Sequence, residues 1–198
     1  MPELRRVCVF AGSSAGRDPA YARAAAELAR LLARRGIGIA YGGASVGLMG
    51  VLADTAMEAG GEVIGVLPRA LQEREIGHPG VTRLEIVETM HQRKARMAEL
   101  SDAFIALPGG IGTLEELVEA LTWTMLGIHA KPVGLLDAGG YYGPLLGFLD
   151  SARDAGFLRP EHRALLLSDR DPAALVERLA SWAPAHASRW TPAEAPPA

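Results

Sequence analysis

The chain has 198 residues, of which 49% are hydrophobic. This size and composition suit one globular domain and exclude a disordered chain. The formal net charge is −3 and there is no long basic block, so nucleic acid is not expected to be the main partner. The uncharged stretch 36–53 contains six glycines and divides into strand, turn and helix, so we do not interpret it as a membrane span.

The first half of the chain alternates between apolar β-type runs and helical patterns. Strands are predicted over residues 6–11, 37–41 and 62–67, and helices over 18–35 and 47–61. Asp18 and Pro19 supply an N-cap and a first helical residue. The polar segment 69–81 contains Gly77, Pro79 and Gly80, which predicts a loop of the kind that often carries function.

The second half continues the alternation with a short strand at 84–87 and strands at 103–107 and 132–136. Helices are predicted over 89–100, after a capping box that begins at Thr89, and over 113–125, 142–155, 160–167 and 171–182. We expect one domain, residues 1–182, and a mobile tail over the Ala- and Pro-rich residues 183–198.

Strictly alternating strands and helices predict an α/β fold, a three-layer Rossmann-like doubly wound parallel sheet with helices on both faces. Ligands bind such sheets beyond the carboxyl ends of the strands. Three glycine-rich turns, at 12–16, 42–50 and 108–112, follow strands and should gather there. None has the dinucleotide or P-loop pattern, and no His, Cys and carboxylate cluster has metal-ligand spacing, so we expect neither a metal nor another cofactor.

The third turn is the most informative, because Gly109, Gly110 and Gly112 lie between a strand and a helix. Such a turn directs backbone N–H groups and a helix N-terminus at an anion, and glycine lets a phosphate approach closely. A tight turn with a capped helix is the alternative, although a plain turn needs one glycine and not three.

Arg93 and Glu116 are the charged residues that need an explanation. Arg93 falls on the apolar stripe of its predicted helix, where it must meet an anion or carboxylate or else snorkel to solvent. Glu116 lies one turn from the predicted anion site, but residues 113–116 also form a capping box in which it would bond only its own helix start. Both alternatives stay open. Arg96 is interpreted as a solvated charge, and His78 as lying alone in its loop.

Unburied apolar surface predicts a homodimer. Trp123 points away from the apolar stripe of its helix, and the helix at 47–59 is apolar nearly all round.

The lone Cys8 lies in an apolar strand and excludes an intrachain disulfide. Arg5 and Arg6 precede too short an apolar run for a signal peptide, so a cytoplasmic protein is expected.

Over roughly residues 5–179 the chain resembles the LOG (Lonely Guy) family of phosphoribohydrolases. The matching motifs are Val9–Ser14, Tyr41–Gly50, Val63–Pro68, Met90–Ala95 and Pro108–Glu116. The chain departs from the family where Ala11 replaces a frequent cysteine and Ala44 a frequent glycine.

The resemblance implies hydrolysis of the N-glycosidic bond of cytokinin riboside 5′-monophosphates, with AMP as a further substrate, by a homodimer whose site lies near the interface. It assigns catalysis to Arg93 and Glu116. Candidate substrate contacts are Glu75, Lys94, Gly109, Gly110, Ile111, Gly112, Thr113, Leu114, Glu115 and Thr122, together with Gly12 and Ser13 of the first turn. A nucleotide or molybdenum-cofactor carrier on the same fold is the alternative, and it would need no catalytic acid.

Overall fold

Seven parallel strands form the centre of the computed structural model, which describes residues 4–73 and 77–183. Their spatial order is β4-β3-β2-β1-β5-β6-β7, and every neighbouring pair is parallel. The strands are β1 Arg6–Phe10, β2 Gly38–Tyr41, β3 Val63–Pro68, β4 Arg83–Val87, β5 Ala103–Ala106, β6 Val133–Leu136 and β7 Leu166–Asp169. The doubly wound sheet predicted from the alternation is confirmed.

Helices cover both faces of the sheet. They are α1 Pro19–Arg34, α2 Gly47–Glu58, α3 Arg69–Gln72, α4 Met90–Glu99, α5 Ile111–Met125, α6 Gly143–Asp154, α7 Pro160–Arg163 and α8 Pro172–Ala180, with a 3-10 turn at Ala138–Gly140. None of these described helices is long and apolar enough to cross a membrane.

Alternation along β1 divides the core into two layers, because successive strand residues point to opposite faces. Val7 and Val9 belong to one apolar cluster, with residues of α1, α2 and α8. Cys8 and Phe10 belong to the other, with residues of α4 and α5. Cys8 is fully buried, as its apolar surroundings predicted, and burial raises the pKa of its thiol well above the ordinary value.

Local sequence signals place the helix starts. The Asp18 carboxylate accepts from the N–H of Ala20, and that of Asp171 from the N–H of Ala173. Thr89 and Gln92 form both bonds of the predicted capping box at the start of α4. The predicted caps at Asp18 and Thr89 are therefore confirmed, and Asp171 caps the last helix where it was predicted to start.

Two predicted elements are wrong. The helix expected over 160–167 ends at Arg163, and Leu166–Asp169 instead pairs with β6 as the edge strand of the sheet. Long-range pairing of this short apolar run prevails over the preceding helical pattern. The loop expected over 69–81 opens with the one-turn helix α3.

The winding direction of the sheet reverses between β1 and β5. From β1 the chain proceeds outward to β4, and the connection through α4 then returns it to β5 beside β1. The turns that follow these two strands therefore lie side by side at the carboxyl edge, which is where such folds bind ligands.

Candidate functional site

The three glycine-rich turns meet at the carboxyl edge, as predicted. The N–H of Gly12 donates to the Pro108 carbonyl at 3.1 Å, and the Gly12 carbonyl accepts from the N–H of Leu48 at 3.0 Å. Gly47 has a φ of +60°, and a Cβ there would lie 2.3 Å from the Ser13 carbonyl carbon. A side chain at Gly47 would separate the first two turns, so glycine is required where they touch.

A cavity of about 270 Å³ opens between the first and third turns. Ser13, Tyr21, Gly109, Gly110 and Tyr141 are among the residues that line it. Four of the predicted contact residues, Gly12, Ser13, Gly109 and Gly110, line it. The structure thus brings the predicted glycine turns together around one opening large enough for a phosphorylated sugar.

Helix α5 begins at Ile111, with Gly110 as its N-cap and no side-chain cap. The first intrahelical bond of the helix joins the N–H of Leu114 to the Gly110 carbonyl at 3.1 Å. The N–H groups of Ile111, Gly112 and Thr113 therefore have no acceptor within the helix. Together with the helix dipole they favour an anion at this end.

The capping-box interpretation of residues 113–116 is wrong. Because α5 starts at Ile111, Thr113 lies inside the first turn and is buried, and Glu116 lies in the second turn. The Glu116 carboxylate is turned instead toward α4 and accepts a hydrogen bond from Arg93. Glu116 is therefore available for a role outside its own helix.

Arg93 and Glu116 form a buried ion pair. Arg93 Nη1 donates to Glu116 Oε1 at 2.6 Å, and Arg93 Nε donates to the Val66 carbonyl at 3.1 Å. Each residue is only 8% exposed. The snorkelling interpretation of Arg93 is therefore wrong, because its guanidinium meets a carboxylate beneath the surface, where such a pair is strongly coupled.

Burial raises the pKa of the Glu116 carboxyl above its ordinary value, although the adjacent Arg93 charge and hydrogen bond act in the opposite direction. The nearby charge of Glu115 raises this pKa further. A carboxylate with a raised pKa accepts a proton more readily near neutral pH. The pair thus combines one candidate base or charge-stabilising group with one cation that holds it. Neither residue lines the cavity between the first and third turns, and Arg93 instead contacts Gly42 of the second turn.

Lys94 and Glu115 are paired with each other. Lys94 Nζ donates to Glu115 Oε1 at 2.5 Å and to Glu119 Oε1 at 3.0 Å. Burial lowers the pKa of Lys94, but hydrogen bonds to the two glutamates outweigh it and the net shift is upward. Lys94 is therefore charged and links α4 to α5 through two ion pairs.

The remaining predicted contacts are spread more widely. Thr122 donates its hydroxyl to the Val118 carbonyl. It lies about 13.5 Å from Thr113 along the helix axis, at a rise of about 1.5 Å per residue. Leu114 packs against the second apolar cluster, while Ile111 is 82% exposed. Glu75 lies outside the described residues.

Comparison with known proteins identifies the family. Residues 49–179 match a family model described as "Possible lysine decarboxylase". A probable cytokinin riboside 5′-monophosphate phosphoribohydrolase of Oryza sativa subsp. japonica is 52% identical over 183 residues, covering 92% of this chain and 75% of the relative. A cytokinin riboside 5′-monophosphate phosphoribohydrolase of Arabidopsis thaliana is 50% identical over 184 residues, which cover 93% of this chain and 86% of the relative. The chain belongs to the LOG family.

Solved structures also resemble this member of the LOG family. The molybdenum cofactor carrier protein of Chlamydomonas reinhardtii is 29% identical, with a TM-score of 0.67 over 89% of this chain and 98% of that one. DNA processing protein A of Helicobacter pylori is 16% identical, with a TM-score of 0.55, and shares the fold alone.

The structure corrects the sequence interpretation of two further residues near the LOG family motifs, Arg96 and His78. Arg96 is not simply solvated, because its guanidinium donates to the carboxylates of Glu85 and Glu99. His78 is not alone, because its ring lies 2.9 Å from Asp54 Oδ1. Within the described parts of the chain, no group of three or more His, Cys, Asp or Glu residues could hold a metal ion.

Sequence reasoning missed three residues that shape the site. Gly42 leaves room for the Arg93 guanidinium, since a Cβ there would lie 2.0 Å from Nη2. Tyr141, which follows β6, donates its hydroxyl to the Gly109 carbonyl in the third glycine-rich turn, and Tyr142 donates its hydroxyl to the Leu107 carbonyl just before that turn. The only local signal for the tyrosines is the Gly-Gly-Tyr-Tyr run after a predicted strand.

Proposed function

We propose that this protein is a hydrolase that cleaves the N-glycosidic bond of cytokinin riboside 5′-monophosphates and of AMP, releasing free base and ribose 5-phosphate. The observation that carries the proposal is the buried Arg93–Glu116 pair beside the glycine-rich turns. The activity named for relatives about half identical to this chain supports it.

The proposed binding mode follows from the backbone N–H groups at the start of α5 and from the cavity beside them. The 5′-phosphate would lie against the start of α5, where the N–H groups of Ile111, Gly112 and Thr113 lack helical acceptors. The cavity between the first and third turns would accommodate the phosphorylated ribose. Glycine at positions 109, 110 and 112 keeps this surface free of side chains.

The proposed chemistry uses the buried pair. Cleavage of the bond between ribose C1′ and the base passes through an oxocarbenium-like state, as in glycoside hydrolysis. Water adds to C1′, and the base leaves with a proton. The Glu116 carboxylate would stabilise the developing positive charge or activate this water. Arg93 would hold the carboxylate and bind the sugar phosphate. No step requires a metal or redox cofactor.

A carrier is the second candidate, because the molybdenum cofactor carrier of Chlamydomonas reinhardtii shares the fold. A carrier needs the anion site but has no use for a buried carboxylate with a raised pKa. Incubating the protein with AMP, and separately with a cytokinin riboside 5′-monophosphate, and assaying free base separates the two. Base release at a rate abolished by Arg93→Ala supports the hydrolase, whereas binding without release supports the carrier.

A homodimer is part of the proposal, but its surface differs from the one the sequence suggested. Much of α2 is buried within the chain, and Trp123 packs partly against the second apolar cluster and His129. The outer face of α5 instead exposes Ile111 and Val118 at 82% and 51%. Light scattering at micromolar concentration tests this: a dimer that Val118→Asp dissociates supports the α5 surface, and a monomeric wild type contradicts it.

A further inference from the structure

Three successive carbonyls, that of Leu107 just before the third glycine-rich turn and those of Pro108 and Gly109 within it, each accept a hydrogen bond from elsewhere in the chain. The Tyr142 hydroxyl donates to the Leu107 carbonyl at 2.6 Å. The N–H of Gly12 donates to Pro108, and the Tyr141 hydroxyl donates to Gly109 at 2.5 Å. The turn therefore depends on outside contacts for its conformation.

Two glycines place Tyr141 over the cavity. Gly139 and Gly140 have φ angles of +63° and +76°, in the left-handed region that favours glycine. The Tyr141 ring that follows meets Tyr21 edge-on at 5.5 Å and Tyr142 at 5.0 Å between centroids. Tyr141 is 39% exposed, so its ring forms a cavity wall and is not part of the core.

The bond that Tyr141 makes restrains the most adaptable peptide of the turn. The Gly109–Gly110 peptide has no Cβ on either side, so its plane can rotate at little steric cost. In a trans peptide the C=O and N–H groups point in opposite directions. Fixing the Gly109 carbonyl therefore fixes the direction of the Gly110 N–H and the entry of the chain into α5.

We propose that Tyr141 is a positioning residue for substrate phosphate. Its hydroxyl holds the Gly109–Gly110 peptide in the orientation that presents the turn and the start of α5 to the 5′-phosphate. This role rests on the proposed function and adds a residue from the β6–α6 turn to the site. Tyr142 restrains Leu107, the buried residue just before the same turn, and also serves the fold, since Tyr142 is only 1% exposed.

The test compares Tyr141→Phe with Tyr41→Phe. The first keeps the ring contacts and removes one hydrogen bond. The second removes a buried hydroxyl that has no hydrogen-bond partner within the described part of the chain. For Tyr141→Phe we expect KM for AMP, and Kd for ribose 5-phosphate by calorimetry, to rise roughly two- to tenfold, the ordinary net effect of one hydrogen bond. Turnover should stay within twofold, and Tyr41→Phe should change neither constant.

Three results would overturn the role. Unchanged KM and Kd would show that the hydroxyl does not position the turn. A fall in turnover at constant KM would place Tyr141 in the chemistry instead. A melting temperature lowered as much as by Tyr142→Phe would assign it to the fold. A wild type that binds ribose 5-phosphate but releases no base refutes the hydrolase alone, and the calorimetric comparison then still decides the positioning role.

Discussion

Gly42 and Arg93 are in such close contact that a Cβ on Gly42 would lie 2.0 Å from the Nη2 of the arginine. The guanidinium cannot simply move aside, because the Val66 carbonyl and Glu116 hold it from other directions. The second glycine-rich turn thus leaves space for the Arg93 guanidinium of the proposed catalytic pair. The sequence alone does not reveal this contact.

Gly42→Ala should therefore displace Arg93 and uncouple it from Glu116. We expect kcat/KM for AMP to fall at least about tenfold, which corresponds to about 1.4 kcal/mol of lost transition-state stabilisation. Gly147→Ala is the matched control, because a Cβ there meets no described atom within 4 Å and alanine favours the interior of α6. Equal activity of the two variants would argue against a requirement for the Arg93 position.

Gly112→Val tests the anion site. A Cβ at Gly112 meets no described atom within 4 Å, and Gly112 lies in the first turn of α5, so the fold should survive. The added side chain would stand where the phosphate is proposed to bind, and AMP binding measured by calorimetry should be lost. Gly147→Val places the same side chain at an open position inside α6 and should leave binding intact. Unchanged AMP affinity in a folded Gly112→Val protein refutes the site.

Local patterns predicted most strands and the starts of α1 and α4, because these depend on near neighbours in sequence. The meeting of the three turns followed from the parallel topology, which places the carboxyl ends of the strands at one edge of the sheet. The role of Glu116 stayed open because a capping box and a second-turn carboxylate share the same spacing, and only the start of α5 separates them. The partner of Arg93 lies on another helix, and β7 is stabilised by pairing with β6 and not by local propensity. Tyr141 donates a hydrogen bond to Gly109, 32 residues earlier in the chain, and no periodic sequence pattern predicts a contact at that separation.

The acid limb of the pH profile should reflect Glu116. With the carboxylate as the active form, activity falls as the pH drops through the pKa of Glu116. Because burial raises this pKa, the acid limb should lie at a higher pH than the limb of an ordinary glutamate. Glu115 raises this pKa further, and Glu115→Gln should therefore move the limb to lower pH. Comparing kcat profiles of the two proteins with AMP cancels the ionisation of the substrate. A limb that does not move, or moves upward, contradicts the assignment.

His129 should make stability depend on pH. Its ring stacks on Phe104, and burial, followed by the charge of Lys131, lowers its pKa to about 4 from 6.5. The unfolded state then binds the proton more tightly, so the stabilisation is complete above about pH 6.5 and is lost as the pH falls toward 4. Urea unfolding at about pH 7 and about pH 5 should show this loss in the wild type and a smaller one in His129→Asn. Equal losses would exclude His129 as the source.

Base release by Glu116→Gln tests the central claim most directly. Glutamine keeps the shape and can still accept a hydrogen bond from Arg93, but it lacks the charge that would face the oxocarbenium ion. We expect a folded protein that binds AMP and releases adenine about 10²-fold more slowly or worse. Arg93→Ala should be similarly impaired and bind phosphate less well, whereas Glu119→Gln, one turn further along α5, should remain active. If Glu116→Gln retains most of its base-releasing activity, the catalytic assignment is contradicted.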